Sequence, residues 1–141
     1  MLVRRTKVTR PGAVAVELAI LLPMITFLAV IGVDYARVFS RTLILQTASR
    51  NGAWYACQDP THAADTAGIQ AVAQKDLTDV SDTTNVTSGT YTGTDGFVHV
   101  TVTVSMTFNT ICNFPGVPYS SNLSRTTDFR VCPATPKPGT F

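Results

Sequence analysis

Charge is scarce in this chain: of 141 residues, eleven are Lys or Arg, nine are Asp or Glu, and two are His. No CxxC pair occurs, and neither His62 nor His99 stands at a ligand-like spacing from a cysteine, so the sequence offers no basis for a metal site. A catalytic nucleophile needs a base and a group that orients it, and no such motif surrounds either histidine. No enzyme activity and no cofactor is therefore expected. There is no internal repeat. A basic folded face is missing too, because Arg4, Arg5, Lys7 and Arg10 all precede the first apolar run, and residues 13–141 carry seven positive charges against nine negative. That distribution argues against a nucleic-acid partner, which would require positive charge spread over a folded surface.

What the chain does contain is a long apolar run. Ala13 to Val33 holds one charged residue, Glu17, and at ~1.5 Å per residue its helix is about 30 Å long, the thickness of a hydrocarbon core. A secretory signal has the same order of parts, but its apolar region is usually ~7–15 residues and ends at small residues. This run is longer and continues into "DYARVFSRTLILQTASRNGAWYA". A span through a lipid bilayer is expected, with the basic N-terminus on the cytoplasmic side and the body outside. Asp34, Tyr35 and Arg37 form the acid, aromatic and base mixture of a membrane interface. If the helix tolerates Gly52, it runs from about Ala13 to Tyr55.

The rest reads as a small head. In "QDPTHAADTAGIQAVAQKDL", Asp59 can cap, Pro60 suits the first helical position, and Ile69, Val72, Ala73 and Leu77 share a stripe, so one further helix is expected. From Val98 to Phe108, apolar residues alternate strictly with His, Thr and Ser, the pattern of a long strand. The Asp95-Gly96 turn makes "NVTSGTYT" its hairpin partner. "NTICNFPGVPYSS" reads as a loop, and "LSRTTDFRV" as a third strand whose alternation Arg125 and Thr127 weaken. The fold class is α+β: a long N-terminal transmembrane helix, then one helix on a short antiparallel sheet. The expected divisions are a basic leader over 1–12, the membrane and extended helix over 13–57, the head over 58–132 and a flexible tail over 133–141.

Cys57, Cys112 and Cys132 all fall on the expected outer side, where disulfides persist. Three thiols allow three single bridges. Cys112–Cys132 is favoured because it closes a loop of about twenty residues, worth roughly 3 kcal/mol in the chain-entropy model, and it leaves Cys57 free or joined to another chain. Asn85-Val86-Thr87 and Asn122-Leu123-Ser124 match the N-glycosylation triplet, a chance match in so Thr- and Ser-rich a chain.

Glu17 needs a reason, since a carboxylate at the centre of a span costs on the order of 2.5–3.5 kcal/mol and somewhat less toward its edge. It is the fifth residue after Gly12 in "RPGAVAVELAILLP", which resembles the type IV prepilin pattern, in which a membrane-embedded peptidase cuts after the glycine. With "VE", the Pro-interrupted apolar run, "DYAR" and "RNGAWYA", the segment from Arg10 to Ala56 is similar to the TadE-like family, minor pseudopilins of tight-adherence (Flp) pilus systems. Pro11 departs from the arginine or glutamine common before that glycine. The resemblance implies leader cleavage between Gly12 and Ala13, with Glu17 as the family's acid. The new ammonium at Ala13 lies one helical turn away and offsets the desolvation of the carboxylate. The bland alternative is that Glu17 snorkels to the headgroups. Implied partners are a prepilin peptidase, other pilin or pseudopilin subunits and the inner-membrane pilus assembly platform. The rival reading is a single-pass, membrane-tethered binding module that never polymerises.

Overall fold

The computed structural model describes residues 11–78, 80, 83–111 and 119–133. Helix α1 runs from Pro11 to Ala56, one or two residues beyond the expected ends. Pro11 suits the first helical position because its missing N–H would be unpaired there in any case. Pro23 removes one donor from the interior without ending the helix, and one turn on, the Thr26 hydroxyl donates to the Leu22 carbonyl at 2.8 Å. Two compact units divide the chain, 1–36 and 37–141. In the first, the described residues are all helical. The second holds every strand.

Its sheet is an antiparallel meander of β1 (Thr84–Thr92), β2 (Val98–Asn109) and β3 (Ser120–Arg130), in the order β1-β2-β3. The β1–β2 hairpin closes where the Asp-Gly signal predicts. Gly96 takes φ +76°, a left-handed conformation that favours glycine, and the Asp95 carboxylate accepts from the Phe97 N–H at 3.0 Å. The alternation of β2 becomes burial: Val100, Val102 and Val104 are wholly buried, Met106 and Phe108 nearly so, while the intervening Thr and Ser stay partly exposed.

The apolar face of the sheet is covered from within its own unit by two layers. One is the C-terminal part of α1, where Leu45, Ala48, Ser49, Gly52, Ala53 and Ala56 recur at helical spacing and are buried. Five of these six are small, and at Gly52 the helix lies close to the Val102 side chain. Ser49 is the polar member, and its hydroxyl lies 2.9 Å from that of Thr127 and 3.1 Å from the Gln46 carbonyl. This explains the weakened alternation of β3: Thr127 faces the core side opposite Val102 and finds a polar partner there. Arg125, on the same face, stays exposed.

The second layer corrects one expectation. The single helix read over "QDPTHAADTAGIQAVAQKDL" is two, α2 (Pro60–Ala64) and α3 (Thr66–Lys75). Asp59 caps the first, accepting from the N–H groups of Thr61 and His62 at 2.8 Å. Asp65 breaks the run because its carboxylate caps a new start, accepting from the Gly68 N–H at 2.9 Å and from the Tyr55 hydroxyl at 2.9 Å. Of the expected stripe, Ile69, Ala73 and Leu77 are buried and Val72 is half-buried.

Gly52 lies where α1, α3 and β2 converge. A Cβ built there would stand 3.3 Å from Val102 Cγ1, 3.4 Å from Ala73 Cβ and 3.5 Å from Ile69 Cγ2. Gly52→Val should destabilise the unit by about 1–3 kcal/mol through overpacking, read as a lower denaturant midpoint with unchanged slope. A midpoint at or above that of the unaltered chain would show that the three elements do not meet closely at this point.

Candidate functional site

The first unit presents the largest apolar surface in the chain. From Val14 to Val33 the side chains are exposed on every face of α1, with Val14 66%, Ile20 70% and Phe27 47% exposed. Burying a large aliphatic side chain is worth about 1.5–3 kcal/mol, so leaving a dozen of them half exposed to water would cost on the order of 10–20 kcal/mol, more than a small domain's whole stability. A helix apolar all round belongs in lipid or among other apolar helices. α1 is long and apolar enough to cross a membrane.

Glu17 lies on this helix, exposed, one turn from Ala13 and about 6 Å along the axis. Gly12 and Ala13 lie in the first described turn of α1. Nothing lies within 4 Å of the position a Cβ would take on Gly12. Of the expected interface residues, Tyr35 is 74% exposed and Asp34 only 9%. Arg37 places its guanidinium 5.1 Å from the centroid of the Phe108 ring, a cation–π contact over the end of the sheet core.

Of the expected disulfide, Cys112 lies outside the described residues, while Cys132 follows β3. Among the described residues, no group of three or more His, Cys, Asp or Glu is placed to hold a metal ion.

One cluster escaped the sequence reading. At the tip of the β1–β2 hairpin, His99 sits between two carboxylates, with Nδ1 3.0 Å from Asp128 and Nε2 3.1 Å from Asp95. The Tyr91 hydroxyl donates to Asp128 at 2.7 Å, that of Thr101 donates to it at 3.1 Å, and the Tyr91 ring stacks on the imidazole. Two signals could have located part of it: Asp95 and His99 flank the Asp-Gly turn, and the hairpin register sets Tyr91 opposite His99. Chemically it is a clamp. Both ring nitrogens face carboxylates, which leaves neither to activate a nucleophile. His62 is bound similarly, 2.7 Å from Asp59 and edge-on to Tyr55.

The described geometry thus brings together Gly12, Ala13 and Glu17 on an apolar helix and assembles no catalytic constellation. Residues 12–54 match the TadE-like protein family. The TadE-like segment coincides with α1, and the sheet lies beyond the match. No curated protein and no solved structure shows significant similarity to the chain.

Hydrogen bonds to Asp128 and then Asp95 raise the His99 pKa above 6.5. Those same contacts help to hold both carboxylates below the usual range, the Phe97 N–H being the larger cause for Asp95. A raised histidine pKa contributes stability that is complete below the unfolded value near 6.5 and is lost as pH rises through the folded value. The depressed carboxylates contribute above about 3.8 and lose it as pH falls through their folded values. The hairpin tip should therefore be tightest between the two. In detergent-solubilised full chain, the His99 imidazole signals should titrate above 6.5, and Asp128→Asn should lower the midpoint. An unchanged midpoint would remove Asp128 as the principal cause.

Proposed function

We propose that this protein is a TadE-like minor pseudopilin or assembly component of a Tad/Flp-type pilus or secretion system, acting after removal of residues 1–12 by a prepilin peptidase. The reading is carried by one conjunction: a match to the TadE-like family over residues 12–54, on a helix apolar on every face, with Glu17 five residues after Gly12. The protein crosses the inner membrane once, N-terminus in the cytoplasm and head outside, the orientation the basic leader favours. Asp34, Tyr35 and Arg37 then lie at the outer interface, where the environment of the helix changes.

The chemistry of assembly follows from the helix. Apolar side chains on all faces let α1 exchange lipid for the equally apolar flanks of other pilin or pseudopilin helices. Because that exchange gains little from the hydrophobic effect, polar contacts decide register. Hydrolysis of the Gly12–Ala13 bond leaves an ammonium at Ala13, and a carboxylate one turn along the same helix, or on a neighbouring helix, is its natural counter-ion in a low dielectric. Glu17 thereby sets how far each subunit is inserted beside the next. No step requires the protein itself to catalyse anything.

The intact mass of the membrane-bound chain from cells that possess the peptidase should correspond to a polypeptide beginning at Ala13, and Gly12→Leu should accumulate with residues 1–12 attached. Equal gel mobility of the two would count against processing. Glu17→Leu should be cut normally but recovered at least tenfold less in sheared surface material or with the assembly platform. A protein that stays entirely in the inner membrane, with or without Glu17, is instead a tethered binding module.

A further inference from the structure

Cys57 and Cys132 lie 75 positions apart in sequence, yet the backbone ties them together. The Cys132 N–H donates to the Cys57 carbonyl at 2.8 Å. Each residue is fixed by its neighbours. Cys57 is the first residue after α1, and its N–H still bonds the Ala53 carbonyl at 2.9 Å, beside the fully buried Ala56. On the other side, Val131 is 4% exposed and donates to the Val98 carbonyl at 2.8 Å, so the chain leaving β3 is anchored to β2 one residue before it meets α1.

This hydrogen bond bounds the geometry of the two cysteines. With a donor–acceptor distance of 2.8 Å and standard bond lengths at both ends, their Cα atoms can be at most about 6.7 Å apart. Disulfide-bridged residues have Cα separations of about 4.4–6.8 Å. The bound on their Cα separation thus falls within the range that a bridge spans.

We propose that Cys57 and Cys132 form a disulfide that staples the end of β3 to the C-terminal end of α1. In the structure both are free thiols, Cys132 exposed and Cys57 half-buried, with Cys57 Sγ directed to the Trp54 carbonyl at 3.3 Å. Burial first, and the neighbouring Cys132 second, raise the Cys57 thiol pKa, which makes the exposed Cys132 the more accessible first nucleophile. Cys132 loses its proton and attacks one sulfur of a donor disulfide, a small molecule such as oxidised glutathione or a protein disulfide. One donor thiolate leaves and takes up that proton. Cys57, deprotonated in turn, attacks the Cys132 sulfur of the mixed disulfide and expels the second donor thiolate, which takes up the second proton. The two protein thiols are oxidised by two electrons, and one donor disulfide is reduced to two thiols. The loop so closed encloses α2, α3 and the whole sheet, every element that follows α1. Because Cys132 has one sulfur, this pairing replaces Cys112–Cys132, which spacing alone favours.

Trypsin separates the three cysteines into different peptides: Cys57 in 51–75, Cys112 in 76–125 and Cys132 in 131–141. Purified full chain in detergent, oxidised with glutathione, alkylated and digested without reduction, should yield 51–75 joined to 131–141 and an alkylated Cys112. Oxidation should also raise the thermal midpoint on the order of 10 °C, a gain kept by Cys112→Ala and lost by Cys57→Ala or Cys132→Ala. A bridge involving Cys112, a dimer linked through Cys57, or three alkylated thiols would each overturn the proposal. Because the chain is oxidised after purification, the result is independent of membrane orientation and of pilus assembly.

Discussion

One helix has to be stable in two surroundings, and the rest of the molecule is arranged around that constraint. Up to Val33 its side chains are apolar on all faces, which only lipid or other apolar helices can match. From Leu45 to Ala56 the same helix narrows to a single buried stripe, and every residue of it after Leu45 is small. A continuous hydrogen-bonded backbone passes from one regime to the other through Asp34, Tyr35 and Arg37. Helical structure satisfies the backbone in both settings, so only the side chains have to change.

The second regime explains the head. A three-stranded sheet with one apolar face needs that face covered, and among the described residues no helix after α1 is long enough to cover it alone. α3 contributes ten residues, and the C-terminal part of α1 supplies the remaining cover. Gly52 lets the helix lie close to the Val102 side chain, while the Ser49–Thr127 contact satisfies the buried Ser49 hydroxyl. At the far end of the hairpin the molecule relies on electrostatics instead, with Asp95 and Asp128 on either side of His99.

Much of this was legible in the sequence because it is written in periodicity. The alternation through β2, the Asp-Gly turn and the all-apolar run each map onto one physical preference and emerged with bounds shifted by only a residue or two. The role of the C-terminal part of α1 was not legible in that way. A stripe of Ala, Ser and Gly carries little hydrophobic signal, and its meaning, close approach, depends on what lies opposite. The break at Asp65 was hidden for a similar reason, since an acid inside a helical pattern caps a new helix only when the chain turns there. Asp128 is 29 residues from His99, and only the β2–β3 register joins them. Gly12 and Glu17 were legible only as a motif, because the roles proposed for them involve other molecules.

The apolar run, the carboxylate within it and the TadE-like match over residues 12–54 support the proposed account of a membrane-embedded pilus component. The most direct test of that account is the solvent around α1 itself. In full chain reconstituted into liposomes, a nitroxide placed in turn at each position from Val14 to Val33 should be accessible to oxygen and shielded from a polar nickel chelate on every face. Beyond Arg37, chelate accessibility should rise and recur every three to four residues. Such a recurrence already present between Val14 and Val33 would mean that one side of this segment faces water, contradicting a lipid-embedded helix and the reading built on it.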